Sequence, residues 1–322
     1  MSIFPTRILL ATDGSEEATL AAQTAIDLAN KTGSELHVVY ARIQPYSRAF
    51  YEGYEEGVDV GAYLQDESAQ RTRRGQGLLD EQVRKIKAAG GSVAQAHLSV
   101  GKPEAEITAL AEKIGAGLIV VGSRGLGGIR RAMLGSVSES VVRHAHSPVM
   151  VVRAGGNRQG APSSQRILLA TDGSEEATLS TQAATEIATQ TGSELHLVHV
   201  SVSPYHPSYY EGRYLGDYLQ EDIGDYLQKE EAEMKREDQE LLNEQVKKVE
   251  AAGGSVAQAH PRVGIPESEI TDLAKEIGAG LVVVGSRGLG TMSRVLMGSV
   301  SESVVRHAHC SVLVVRKEEP TD

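Results

Sequence analysis

Tryptophan is absent from this 322-residue chain and phenylalanine occurs twice. A core without large aromatics has to be filled by Val, Ile, Leu and Ala. One cysteine, Cys310, excludes an internal disulfide framework and a cysteine-based zinc site; ahead of a Val-Leu run it reads as a buried thiol. No apolar run approaches the ~18 residues of a membrane-spanning helix, and Met1–Arg7 lacks the basic and apolar regions of a signal peptide. These absences lead to the expectation of a cytoplasmic protein with no membrane contact. Positive charge is also short: 32 Lys and Arg stand against 43 Asp and Glu, a net of −11. That balance argues against binding to nucleic-acid backbones. The deficit is uneven, with 18 basic against 17 acidic residues in 1–160 and 14 against 26 in 161–322. Most of the excess falls between Glu221 and Glu250, which reads as a solvated helix face.

What the chain does have, it has twice. Arg7–Leu20 (RILLATDGSEEATL) is repeated at Arg166–Leu179, Ala88–His97 at Ala251–His260, and Gly135–His146 at Gly298–His309. The offset is 159 early and 163 late, so the second copy holds four extra residues in the Tyr-rich segment after its second strand. A period of this length is that of a domain rather than of a solenoid repeat. The organisation expected is a first domain over 1–154, a Gly/Pro/Ser linker over 155–165 and a second domain over 166–322.

Within each copy, short apolar runs alternate with helical patterns. In the first, Ile8–Ala11 is a strand; Ala18, Ala22, Ala25, Ile26 and Ala29 share one helix face. Strands follow at Leu36–Ala41, Ser92–Val100, Leu118–Val121 and Pro148–Val152, with helices over Gln65–Ala89, Pro103–Ile114 and Ser136–Ala145. Continuous apolar strands alternating with helices predict an α/β fold: in each copy, a Rossmann-like, doubly wound parallel sheet covered on both faces.

Such sheets bind ligands at the carboxyl ends of their strands. After strand one comes Thr12-Asp13-Gly14-Ser15; after strand four comes Gly122-x2-Gly125-x9-Gly135-Ser136, matched by Gly285-x2-Gly288-x9-Gly298-Ser299. Glycines admit close backbone approach, a helix start at Gly135-Ser136 offers free N–H groups to an anion, and Arg124, Arg130 and Arg131 (Arg287 and Arg294 in the second copy) add positive charge. Together these are the parts of a phosphate cradle. Helix capping is the competing reading, with Ser136-x-x-Glu139 as a capping box and Asp13-x-x-Glu16 as a cap. A P-loop and a dinucleotide GxGxxG after strand one are both missing.

With the ATDGS turn, the Val100-Gly101-Lys102-Pro103 and Val263-Gly264-Ile265-Pro266 elements and the G-x2-G-x9-G-S loop, the chain resembles a tandem universal stress protein of the ATP-binding branch. The resemblance implies five-stranded sheets in the order 3-2-1-4-5 and ATP as ligand, with Mg²⁺ carried by its phosphates. By position it places Ala11, Thr12 and Asp13 along the adenosine, Asp13 facing the ribose, and Ala41 at the adenine. Gly122, Ser123, Arg124, Gly125, Leu126, Gly127 and Gly128 would wrap the ribose and phosphates, and Gly135, Ser136, Val137 and Ser138 would close on them. The second copy offers Ala170, Thr171, Asp172, Val200, Gly285, Ser286, Arg287, Gly288, Leu289, Gly290, Thr291, Gly298, Ser299, Val300 and Ser301, so two sites per chain are expected. The resemblance also implies pairing through last strands, here Val149–Val152 against Val312–Val315, as a built-in pseudo-dimer open to further homodimerisation.

Ten of the eleven tyrosines lie in Tyr46–Tyr63 and Tyr205–Tyr226, read either as a lid or protein-partner surface or as loops packing on their own helices. His144 with His146 and His307 with His309 stand at helix ends, where interaction with the helix dipole explains them better than a metal does. Three function classes remain open: a nucleotide-dependent stress-response regulator without efficient catalysis, a slow ATPase or phosphoryl-transfer enzyme, and an assembly module with structural nucleotide. No catalytic residue is assigned; Asp13 and Glu139 are the carboxylates nearest the loop.

Overall fold

The computed structural model describes residues 4, 6–43, 60–125, 134–154, 166–202, 222–288 and 297–316, without the side chains of 60–67, 222–228, 230 and 231. The linker 155–165, loop residues Leu126, Gly127, Gly128, Arg130, Arg131, Leu289, Gly290, Thr291 and Arg294, and the Tyr-rich segments up to the first helical turns that follow them lie outside the described residues. The chain divides into two compact units, Phe4–Arg153 and a second starting at Ala154.

In the first unit the order is β1 (Arg7–Ala11), α1 (Glu16–Thr32), β2 (Glu35–Arg42), α2 (Val60–Ala88), β3 (Gln95–Val100), α3 (Pro103–Ile114), β4 (Ala116–Gly122), α4 (Ser136–His144) and β5 (Val149–Val152). The second unit repeats it as β6 (Arg166–Ala170), α5 (Glu175–Thr191), β7 (Glu194–Ser201), α6 (Asp222–Ala251), β8 (Gln258–Val263), α7 (Pro266–Glu276), β9 (Leu281–Gly285), α8 (Ser299–His307) and β10 (Ser311–Val315). Strand order is β3-β2-β1-β4-β5 in the first unit and β8-β7-β6-β9-β10 in the second. Neighbours run parallel throughout, as the 3-2-1-4-5 expectation requires.

The central strands are buried on both faces: Ile8, Leu9, Leu10, Leu118, Ile119 and Val120 have no exposed surface. Each such side chain contributes about 1.5–3 kcal/mol of burial. Alanines on the inner face of α1 let that helix lie close to the sheet; Ala21 and Ala25 are fully buried. The N-cap of α1 is Ser15, whose hydroxyl accepts from Ala18 N at 3.2 Å, and not Asp13 as the capping alternative had it. Helix α2 starts at Val60, five residues earlier than the sequence pattern suggested, and β3 is shorter, starting at Gln95. Between them, Gly91 N closes on Ile86 O at 3.0 Å and the chain runs extended into the sheet. Cys310, just before β10, is buried and forms no disulfide.

On the outer strands each unit stacks two imidazoles. His37 Nδ1 and His97 Nε2 are 3.2 Å apart with ring centroids at 5.5 Å; His196 and His260 repeat this at 3.1 and 5.4 Å. One ring nitrogen must donate and the other accept, an arrangement that suits neutral rings. Burial, with His37 and Lys113 adding like charge, pushes His97 below the ordinary histidine value. Burial also pushes His196 down, against Glu194, and His260 down, with His196 and Arg262 reinforcing it. A group with a depressed folded-state pKa binds fewer protons folded than unfolded. Stability is therefore full above the unfolded value, ~6.5, and falls as the pH drops below it. The melting temperature should decline between about pH 7 and 5, and His97→Gln with His260→Gln should flatten the decline; an unchanged acid limb would remove the pairs as its cause.

Candidate functional site

Strands β1, β2 and β4 end together in the first unit, and a cavity of about 710 Å³ opens at that edge. Part of the lining is apolar. Ala41 lies on the same face of β2 as Val39 by the two-residue strand period, and Pro103 and Ile107 of α3 border the cavity with it. Another part is polar, contributed by Thr12 and Asp13 after β1 and by Gly122, Arg124 and Gly125 after β4. Gly135, Ser136, Val137 and Ser138 join it from the start of α4. A flat apolar ring suits the first set of residues, and hydroxyls and an anion suit the others.

The turn after β1 owes its shape to short hydrogen bonds. Asp13 Oδ1 accepts from Ser15 N at 3.0 Å, and Thr12 Oγ1 accepts from Gly14 N at 3.3 Å. Gly14 sits at φ 81°, a left-handed conformation that glycine adopts without cost. In the second unit Asp172 Oδ1 accepts from Ser174 N at 3.0 Å and Thr171 Oγ1 from Gly173 N at 3.4 Å.

The phosphate-loop candidates are brought to the same edge. Gly135 N donates to Ser123 O and Gly298 N to Ser286 O, both at 2.8 Å, so each loop leaves and re-enters at one point. Ser138 Oγ donates to Gly122 O at 2.7 Å and Ser301 Oγ to Gly285 O at 2.6 Å, tying each helix start to its strand end. The N-cap of α4 is Gly135 and that of α8 is Gly298, with no side-chain cap on either. The capping-box reading of Ser136 is thereby corrected: Ser136 is the first helical residue, and the first-turn amides are left for a ligand or water. Ser123 and Ser286 are buried behind the loops.

Two charges are already balanced. Arg124 Nη2 lies 2.5 Å from Glu17 Oε1, while Arg287 Nε lies 3.7 Å from Glu176 Oε1, a looser pair. Glu139 is held by Arg143 at 3.1 Å. Arg316, directly after β10, was not anticipated. Burial, with Arg287 alongside, pushes its guanidinium down to about 10. Its signal in the sequence was the repeated Val-Val-Arg at Val151–Arg153 and Val314–Arg316. Tyr40, Arg42, Ile43 and Leu134 also border the first cavity without having been singled out. Pro103 and Ile107 stood in a recognised element but were given no site role.

The loop glycines do different work. A Cβ on Gly125 would collide with Asp13 Oδ2, and one on Gly288 with Asp172 Oδ2. A Cβ on Gly122 would stand 2.8 Å from the Glu17 carbonyl carbon and 3.0 Å from Ala18 N, so this glycine spaces β4 from the first turn of α1. Gly122→Ala should therefore cost about 1–3 kcal/mol of stability by overpacking against backbone, whereas Gly125→Ala displaces only a side-chain end. Urea denaturation of the two variants should separate them; equal costs would refute the assignment.

The profile of the universal stress protein family matches residues 5–153 and again 163–316. A Staphylococcus aureus (strain USA300) relative named for that family is 37% identical over 160 residues, 49% of this chain and 88% of its own length. The crystal structure of a universal stress protein from Archaeoglobus fulgidus aligns over 99% of both chains at a TM-score of 0.66 and 25% identity. A Pseudomonas aeruginosa PAO1 structure shares the fold, with a TM-score of 0.61 at 18% identity over 98% of this chain and 94% of its own. Two profile matches that together span nearly the whole described chain place it, as a tandem of two domains, in the universal stress protein family.

Proposed function

We propose that each unit binds ATP at the carboxyl edge of its sheet and that the protein is a nucleotide-responsive regulator with little or no turnover. The observation that carries this reading is the company of residues in one cavity: Ala41, Pro103 and Ile107 line it together with Asp13 and the uncapped start of α4. In the second unit Val200, Asp172 and the start of α8 hold the corresponding sequence positions. The adenine ring would lie against the apolar residues and the ribose hydroxyls at Asp13 or Asp172. The phosphates would lie at Gly135–Ser138 or Gly298–Ser301, where amides and the helix dipole favour an anion. Mg²⁺ would be held mainly by the phosphates. The carboxylates nearest the loop support the regulatory reading, because Asp13 Oδ1 is committed to Ser15 N and Glu139 to Arg143.

Calorimetric titration with Mg-ATP should give close to two sites per chain. Gly125→Ala should remove the first and Gly288→Ala the second, with the fold retained. Phosphate release should stay far below the ~10 per second of an ordinary enzyme. No heat and no retained nucleotide would refute the binding; brisk magnesium-dependent release, lost in Asp13→Ala with Asp172→Ala, would make the protein an ATPase instead.

A further inference from the structure

Several matched positions differ between the copies at this edge; among them Tyr40, Arg42 and Gly75 in the first unit are His199, Ser201 and Asp238 in the second. In the second unit Asp238 projects from α6 into the protein and is only 4% exposed. A carboxylate removed from water needs compensation. Ser201 Oγ donates to its Oδ1, and His199 Nε2 lies 3.4 Å from the same oxygen. Its Oδ2 has no hydrogen-bond partner among the described residues. The other imidazole nitrogen, His199 Nδ1, is 2.8 Å from Thr171 O. A carbonyl only accepts, so Nδ1 carries a hydrogen. Nε2 faces the Asp238 carboxylate, so the imidazole bridges the helix and the turn.

Thr171 O belongs to the turn that presents Asp172. Helix α6 touches the same turn directly, since a Cβ on Gly173 would stand 3.2 Å from Leu241 Cδ1. In the first unit α2 also reaches its turn, where a Cβ on Gly14 would stand 3.5 Å from Gln82 Nε2, but the side chains that link helix, strand and turn are different. Gly75 leaves room for Tyr40, whose ring comes within 3.3 Å of the Cβ position, and Arg42 Nη2 donates to Thr72 Oγ1 at 2.9 Å. Thr12 keeps the backbone bond to Val39 O at 3.0 Å that Thr171 also makes to Val198 O. The phenol of Tyr40 sits at the end of a rigid ring and cannot stand in for an imidazole nitrogen two bonds from Cβ.

We propose that Asp238 and His199 form a positioning relay that holds the Thr171–Asp172 turn and couples the second nucleotide site, but not the first, to the seating of α6. This rests on the nucleotide reading above and adds to it that the two sites are unequal. Asp238 is a positioning residue that acts through His199 and the turn.

The test uses the full chain with Mg-ATP. In a Gly125→Ala background, which leaves the second site, Asp238→Asn should weaken binding about tenfold, the scale of a charge-assisted hydrogen bond. In a Gly288→Ala background, which leaves the first site, it should change nothing. Amide exchange without nucleotide should quicken at residues 172–174 in Asp238→Asn and stay unchanged in β10. The variant His199→Tyr, Ser201→Arg, Lys235→Thr, Asp238→Gly, Pro261→Leu places in the second unit the groups that surround Gly75 in the first. It should regain the wild-type melting temperature yet keep the weakened second site, whereas a purely structural role requires affinity to return with the fold. Equal weakening of both sites, or unchanged affinity and unchanged exchange at 172–174, overturns the relay. If neither background binds ATP but exchange still quickens, the nucleotide reading fails and the hold of Asp238 on the turn stands.

Discussion

A strand buried on both faces has to release its chain at the edge of the sheet, and the turn after β1 is where this constraint bears hardest. Residues 8–10 are walled in by neighbouring strands and by helices, so the backbone leaves the sheet only beyond Ala11. It must then reverse into α1 within four residues. Thr12, Asp13 and Ser15 each spend a side-chain oxygen on a local N–H, and Gly14 takes the left-handed conformation. That local satisfaction lets Asp13 stand at the cavity with one carboxylate oxygen already anchored. The chemistry of the site is thus a by-product of how the fold closes its first crossover.

The second structural economy is electrostatic. The start of α1 and the start of α4 both present positive helix ends at one edge. Glu16 and Glu17 occupy the first turn of α1, and Glu17 pairs with Arg124. The first turn of α4 has Glu139 alone, and Arg143 holds it. So α1 is neutralised by its own sequence, while the amides of α4 are left uncapped at the cavity. An anion arriving there meets the helix end that has not been compensated. It also meets Arg124, whose present partner it would have to displace.

The parallel α/β architecture was legible because it depends on periodicity and repetition, whereas the strand order came from the family resemblance. Apolar runs such as Ile8–Leu10 admit one environment, and their recurrence 159 residues later doubles the signal. What escaped was decided by packing at a distance. Asp13 and Ser15 are both capping residues by type, and only the geometry gives the cap to Ser15. Gly122 and Gly125 look alike in a glycine-rich loop, yet one clears the backbone of α1 and the other clears a carboxylate. Arg316 lies outside the loop in sequence and comes beside it through the Ser286 N to Val315 O bond, 2.8 Å long. Motif spacing contains none of these neighbours.

Duplication makes the divergence of the copies informative. The turns Thr12–Ser15 and Thr171–Ser174 are identical in sequence and nearly identical in hydrogen bonding, so selection on the turn itself cannot explain why its surroundings differ. Gly75 costs nothing to bury, whereas a buried carboxylate is costly unless each change around it is made in concert. Asp238 is accompanied by a hydroxyl at 201 and an imidazole at 199, and each would lose its partner if the others reverted. A set of three mutually dependent polar residues, placed where one copy manages with a tyrosine, an arginine and a glycine, is not required by the fold. It is more simply understood as a device by which one of two otherwise matched sites answers to its long helix.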